Sequence, residues 1–171
     1  MVQLLGEVRI HQFLEQLIAR FQLGEYEKNS FSYTFHCNEA DCTIGYERQN
    51  KLFARNYNFT IVIEKAVATV SPVKQQIHYS FHKKRWVTKQ ENALLQIANK
   101  HFLLPWDQID FLSLTITETA NKRILKMCTL PGSYTALIFP PMKQGIDMHE
   151  EEVHLLRHFI NSMSRTLHQS T

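Results

Sequence analysis

Apolar residues recur at helical spacing near both ends of the chain. At the start they form the i, i+3, i+4, i+7 stripe of one buried helix face, with Gly24 placed to end the helix in the left-handed conformation. Near the end, Asp147 and Glu150 have the spacing of a capping box ahead of a second stripe. The two stripes consist of Ile10, Phe13, Leu14, Leu17, Ile18 and Phe21, and of Val153, Leu156, Ile160, Met163 and Leu167. We therefore predict an amphipathic helix at each end.

Between these helices, apolar and polar residues alternate with the period of two that is typical of half-buried strands. The alternation predicts strands over 30–37, 42–48, 59–63 and 77–81, with Pro72 between the last two. A second set covers 109–116, 123–130 and 133–139. We expect a turn at Pro131-Gly132 to separate the last two strands.

A third helix is predicted between the two sets of strands, over about 89–102. Thr88 and Glu91 have the capping-box spacing, and Pro105 follows the last turn. Because the connections are short, we predict one α+β domain over 1–171 with a mainly antiparallel sheet of about seven strands, in the order α-β4-α-β3-α. This order is similar to that of type III secretion chaperones, small dimeric proteins that wrap an extended segment of a client.

Composition and charge limit the classes of function. The 171 residues are 44% hydrophobic and 20% charged, with a net charge of +3, which is too small to indicate polyanion binding by itself. Because no window reaches the roughly 20 apolar residues of a membrane span, we expect no membrane partner. Three cysteines without an export signal favour reduced thiols in the cytoplasm.

No motif specifies a reaction, a metal or a cofactor. The glycine-rich phosphate loops are absent, and the chain has only 5 glycines. His149 to His158 does not match the H-E-x-x-H zinc motif because position 153 is valine, and the stretch around Cys37 and Cys42 lacks a second ligand pair. We therefore assign no catalytic residue, metal or cofactor, and an enzyme with an unrecognised pocket is the least favoured alternative.

The stretch 82–89 carries the strongest local indication of function. It combines cations with an aromatic side chain, as sites for nucleic acid or other polyanions do: Lys83, Lys84, Arg85, Trp86 and Lys89. Lys51, Arg55 and Tyr57 would extend this surface if their strands were neighbours. The alternative is a solvated turn between a strand and a helix.

The last helix is apolar over a wide arc, which indicates contact with the sheet on one side and a partner on the other. The residues predicted for such an interface are Val153, Leu156, Ile160, Met163 and Trp106. The alternative is that the sheet alone covers the helix. We predict a non-enzymatic binding or adaptor protein that acts through protein contacts, forms a homodimer and resembles a chaperone in its action, with nucleic-acid binding as the alternative.

Overall fold

The computed structural model describes residues 2–67 (side chains from residue 7), 74–89, 92–102, 108–137 and 141–167. Within these ranges it has three helices and nine strands. The helices are α1 Val2–Phe21, α2 Ala93–His101 and α3 Glu150–Thr166. The strands are β1 Tyr26–Asn29, β2 Ser32–Cys37, β3 Ala40–Lys51, β4 Ala54–Ala66, β5 Gln75–Ser80, β6 Arg85–Val87, β7 Phe111–Glu118, β8 Lys122–Leu137 and β9 Met142–Gly145.

All nine strands belong to one antiparallel sheet in the order β1-β2-β3-β4-β8-β7-β5-β6. Strands β7 and β9 pair with the same edge of β8: β7 pairs with its first half and β9 with its second half. The predicted α+β class, the antiparallel sheet and the three helices are confirmed. The strand count is nine rather than seven, and six strands rather than four precede α2.

The helices share one core with a single face of the sheet, because buried residues of all three belong to the same cluster as alternate residues of the strands. The sheet contributes Ile44, Ile61, Ile63, Ile77, Leu114, Ile116, Leu125 and Met127. Neighbouring residues on the same strands, such as Thr43, Val62 and Lys126, are only partly buried and line a shallow depression on the other face. One face is therefore packed and the other is open to solvent.

Three strands were missed by the sequence prediction. All four residues of β1 are exposed, so no alternation marks it. Strands β6 and β9 have 3 and 4 residues, too few for a periodic pattern. The strand predicted from residue 30 begins at Ser32, because Ser30 and Phe31 form the two-residue connection from β1.

The expected turn at Pro131-Gly132 is wrong, because both residues lie inside the long strand β8. Tyr57 and Phe59, two residues apart on β4, pair with Tyr134 and Thr129, five residues apart on β8. The extra residues form a bulge in which Gly132 has a φ of +81°.

Buried polar groups satisfy the backbone of this bulge. The Ser133 hydroxyl accepts from the Phe59 amide at 2.9 Å and donates to the Thr129 carbonyl at 2.6 Å. The Tyr46 hydroxyl donates to the Gly132 carbonyl at 2.7 Å. Tyr46 and Phe59 are distant in the sequence from Gly132 and Ser133, so tertiary contacts hold within a strand a Pro-Gly pair that usually marks a turn.

The helix ends also differ from the prediction. Helix α2 begins at Ala93, and Asn92 caps it by accepting from the Leu95 amide at 2.9 Å. The Thr88 hydroxyl instead donates to the Gln76 carbonyl at 3.2 Å. Glu91, Pro72 and Pro105 lie outside the described residues.

Helix α1 is followed by a left-handed Gln22 with a φ of 48°, whereas Gly24 is not left-handed. Ahead of α3, the His149 amide donates to the Glu152 carboxylate at 2.7 Å, so the capping contact lies two residues later than predicted.

Buried cations hold the C-terminal end of α3. The Arg123 guanidinium donates to Glu118 at 2.7 Å and to the Leu167 carbonyl at 3.0 Å. Lys65 donates to the Ser164 carbonyl at 3.3 Å. Both cations are almost fully buried, and their charge complements the negative end of the helix dipole.

Candidate functional site

A groove runs along one edge of the sheet between β1 and α1. Strand β1 stands last in the strand order and pairs only with β2 among the described strands. The groove has a volume of about 290 Å³. Its walls are Glu15, Ile18, Ala19, Gln22, Leu23, Tyr26, Lys28 and Tyr33.

The local sequence explains both walls. The apolar stripe of α1 packs on the sheet, which leaves Glu15, Ala19 and Gln22 exposed towards β1. Tyr26 is 52% exposed and contacts the buried ring of Tyr33 edge-on, with centroids 5.4 Å apart. The groove therefore has an aromatic wall and a small residue, Ala19, opposite it.

One ion pair spans the groove. The Lys28 ammonium group binds the Glu15 carboxylate and lies 5.9 Å from the centroid of the Tyr33 ring. The hydrogen bond from Lys28 lowers the pKa of Glu15, and the same bond raises the pKa of Lys28. Both groups are exposed, so water screens the attraction between them and the pair can separate around a ligand.

A second, more polar pocket of about 200 Å³ adjoins the groove and shares Gln22 and Leu23 with it. The C-terminal ends of α1 and β2 meet the middle of α3 there. The Cys37 thiol donates to the Asn161 side chain at 3.2 Å, and Arg157 donates to the Gln22 side chain at 3.2 Å. The groove thus continues into a pocket that presents a cation.

The cysteines and nearby histidine do not form a nucleophilic pair. His36 and Asp41 are cross-strand partners, with Nδ1 and Oδ1 3.0 Å apart, whereas Cys37 and Cys42 lie on the opposite face of their strands. Burial raises the pKa of the Cys42 thiol to about 12. Among the described residues, no group of three or more His, Cys, Asp or Glu is placed to hold a metal ion.

The basic stretch forms the hairpin between β5 and β6. Lys83 and Lys84 lie in its turn, Arg85 begins β6, and Lys89 follows the strand, all with exposed side chains. Lys84 has a left-handed φ of 48°. Lys83, Lys84 and Arg85 therefore lie together at the turn of this hairpin, whereas Lys89 lies beyond the other end of β6.

Trp86 is not part of that surface, because it is only 2% exposed. Its indole nitrogen donates to the Phe102 carbonyl at 3.4 Å, and its amide donates to Asn99 at 3.1 Å. Trp86 thus holds α2 against β6 and has no free ring face for a nucleic-acid base. Phe81, at the start of the same hairpin, is 38% exposed and is the aromatic residue at this surface.

The proposed extension of the basic surface through Lys51, Arg55 and Tyr57 does not follow from the strand order. Strands β8, β7 and β5 separate β4 from β6. Tyr57 is also buried in a small cluster with Ile10 and Tyr134. The two groups of cations are therefore separate surfaces.

The row predicted as a partner interface on α3 lies inside the chain. Val153, Leu156, Ile160 and Met163 are all buried in the main core. This placement favours the alternative that the chain itself covers the apolar face of α3, although α1 contributes to the cover together with the sheet. Trp106, the fifth predicted interface residue, lies outside the described residues.

Sequence reasoning missed the β1 groove, because an exposed edge strand has no apolar alternation. The local sequence offered only a weak indication of a strand and turn: Tyr26 and Lys28 alternate with Glu27, and the polar residues Asn29 and Ser30 follow.

In the described residues, no helix is long and apolar enough to cross a membrane. Comparisons of the chain with curated proteins and with solved structures found no match. A family profile matches residues 15–167, which include the groove, the basic hairpin and all nine strands of the described sheet. The chain therefore belongs to the family described as "Protein of unknown function (DUF3156)".

Proposed function

We propose that this protein is a non-enzymatic binding protein that holds an extended segment of a partner protein against β1. The observation that carries the proposal is the position of an edge strand, all four residues of which are exposed, beside an open groove. An edge strand has main-chain N–H and C=O groups that point away from the sheet, and an added strand satisfies them.

The dimensions favour a short extended segment as the occupant. Four residues of β1 extend over about 13 Å, so an added strand would pair along only a few residues. A volume of about 290 Å³ holds one or two side chains, not a folded domain. An apolar side chain would lie between Ala19 and Tyr26, and Arg157 in the adjoining pocket favours a polar or acidic residue further along the segment.

The test uses a random peptide library displayed on phage and a variant that fills the groove. We expect selected peptides to bind the purified wild type and to bind Ala19→Phe more than about tenfold more weakly, a loss of about 1.4 kcal/mol. Gln96→Phe is the matched control, because it places the same ring at an exposed position of α2. Failure to select any peptide, or equal affinity for Ala19→Phe, would contradict the proposal.

A second copy of the chain is the competing occupant of the same edge. The predicted homodimer would then form by pairing of β1 with its counterpart. Light scattering distinguishes the two cases: a dimer that Ala19→Phe converts to monomer assigns the edge to self-association. Chaperone-like action requires a monomer, or a dimer that leaves the groove open.

Nucleic-acid binding by the β5–β6 hairpin is the second candidate, supported by the four exposed cations and by Phe81. We expect fluorescence anisotropy with mixed-sequence nucleic acid to show binding that weakens as the salt concentration rises. The double variant Lys83→Glu/Arg85→Glu should abolish this binding. Binding that persists in this variant would contradict the assignment.

The three free thiols fit a reducing compartment, and we propose the cytoplasm as the location of the protein.

A further inference from the structure

The hairpin between β3 and β4 presents two large apolar side chains at its turn. Leu52 is 84% exposed and Phe53 is 61% exposed, the highest values among the large hydrophobic residues described. Turn positions usually carry small or polar residues, so this pair is unusual for a protein surface in water. We call Leu52 and Phe53 the apolar tip.

A second hairpin extends the apolar surface beside the tip. Ala54 pairs with Leu137, and Leu137 pairs with Met142 at the start of β9. Met142 is half exposed. In the described residues, Ala54, Leu137 and Met142 therefore form one cross-strand row next to the apolar tip, and Met142 presents an apolar side chain to solvent there.

Cations flank the apolar tip on both faces of the sheet. Arg55 on β4 and Lys143 on β9 both pair with Ala136 of β8, so their side chains point to the same face of the sheet. Arg48 lies on β3 two residues before Asn50, the partner of Arg55, and therefore points to that face as well. Lys51 occupies the next cross-strand row and leaves the opposite face. Within the described part of the chain, no salt bridge neutralises any of these four cations.

We propose that this end of the molecule docks onto a membrane surface that contains anionic lipids. Leu52 and Phe53 enter the boundary between head groups and acyl chains, while Arg48, Lys51, Arg55 and Lys143 remain at the level of the lipid phosphates. An apolar tip surrounded by cations matches the two layers of that interface. This proposal departs from the expectation of no membrane partner, which rested on the lack of a spanning segment. The contact needs no spanning helix, because the protein lies on the bilayer and does not cross it.

The arrangement favours a lipid surface over the other polyanions and over a protein partner. A nucleic acid would attract the cations, but Leu52, the more exposed residue of the tip, has no ring on which a base could stack and would add apolar surface among the phosphates. A protein interface of standard size requires a broad complementary area, whereas two protruding side chains bury little surface in a rigid partner. A fluid lipid boundary accommodates a narrow protrusion.

Sedimentation with vesicles tests the proposal, using phosphatidylcholine alone and phosphatidylcholine mixed with phosphatidylserine. We expect the wild type to bind the mixed vesicles and to bind the neutral ones much more weakly. Leu52→Ser/Phe53→Ser should reduce binding at least about tenfold, and Lys51→Glu by a factor of about five or more. Both changes lie at exposed positions, and thermal unfolding verifies that the variants are folded.

Lys74→Glu is the matched control for charge. Lys74 is exposed just before β5, at the opposite end of the sheet from the β3–β4 turn, and its change alters net charge by the same amount. If Lys51→Glu weakens vesicle binding and Lys74→Glu leaves it unchanged, the membrane contact lies at the end of the sheet that carries the apolar tip. The proposal is overturned if the wild type binds no vesicles at low salt, if the double variant binds as well as wild type, or if this end binds nucleic acid but not vesicles.

Discussion

At the scale of single residues, the buried cations at the end of α3 are the groups whose removal leaves a buried charge. Arg123 donates to the Glu118 carboxylate and to the Leu167 carbonyl just after the last helical residue, and it is almost fully buried. Removing one member of a buried ion pair leaves the other charge without compensation.

We therefore expect Arg123→Met to lower the free energy of unfolding by about 3 kcal/mol or more. Replacing the carboxylate as well, in Arg123→Met/Glu118→Met, should recover a large part of the loss, because no unpaired charge is then buried. Urea unfolding measures both values. Equal losses in the single and double variants would show that the contact with Leu167, not the ion pair, dominates.

The buried thiol of Cys42 makes stability depend on pH in the alkaline range. Burial raises its pKa from an ordinary value of about 9 to about 12. The folded state therefore retains a proton that the unfolded state loses, so the contribution of Cys42 is complete below about pH 9 and is lost as the pH rises towards 12. Burial also raises the pKa of the Tyr46 hydroxyl.

We expect the free energy of unfolding to fall as the pH rises above about 9, by up to roughly 1.4 kcal/mol per pH unit for Cys42 alone. In Cys42→Ala, the free energy of unfolding should fall less steeply with pH, because the contribution of the Cys42 thiol is absent. Urea unfolding at a series of alkaline pH values, followed by circular dichroism, provides the measurement. An unchanged slope in the variant would contradict the assignment to Cys42.

At the scale of secondary-structure elements, the bulge in β8 depends on a single glycine. Gly132 has a φ of +81°, and a Cβ placed on it would lie 2.8 Å from Leu17 Cδ2. Both the backbone and the packing of α1 on the sheet therefore depend on this glycine.

Gly132→Ala is expected to lower the free energy of unfolding by about 2–3 kcal/mol through backbone strain and overpacking. Gly24→Ala provides the matched comparison, because a Cβ there meets nothing within 4 Å and the backbone is not left-handed. That variant should be neutral or slightly more stable. Thermal and urea unfolding of the pair tests the prediction, which fails if the two variants lose similar amounts.

The elements that could be predicted from the sequence are those whose burial is periodic. The α1 and α3 stripes and the alternation in β2, β4 and β7 were visible because one face of each is covered. Strand β1 was missed because nothing buries it, and the β8 bulge was mistaken for a turn because its stabilising partners, Tyr46 and Ser133 with Phe59, are set by tertiary contacts. Local patterns cannot report contacts made by residues distant in the chain.

The same limit applies to the candidate site. The cationic character of 82–89 was evident, but only the tertiary structure shows that Trp86 faces inward to Phe102. The apolar arc of α3 was also evident, whereas its complete burial depends on how α1 and the sheet meet around it. The groove and the apolar tip arise from exposed residues, for which hydrophobic periodicity gives no prediction.

At the scale of the whole molecule, the two proposed contacts use different parts of the sheet. The groove lies beside the edge strand β1, whereas the apolar tip lies at the β3–β4 turn, and the two share no residue. Sites without shared partners usually contribute independently.

We therefore expect Ala19→Phe to leave vesicle binding unchanged and Leu52→Ser/Phe53→Ser to leave peptide binding unchanged. Combining both changes should give additive effects within about 0.5 kcal/mol. Peptide titration in the presence and absence of vesicles measures the coupling. A larger coupling energy would show that membrane docking reshapes or covers the groove.

The central position of β8 has a consequence for folding during synthesis. Strands β1 to β4 pair with their neighbours in the sequence and can assemble as soon as they leave the ribosome. The other edge of β4 remains unpaired until β8, more than 50 residues later, has been made. A nascent chain stalled before Lys122 would expose a long apolar strand edge to other chains. The last third of the polypeptide thus protects the first third from aggregation.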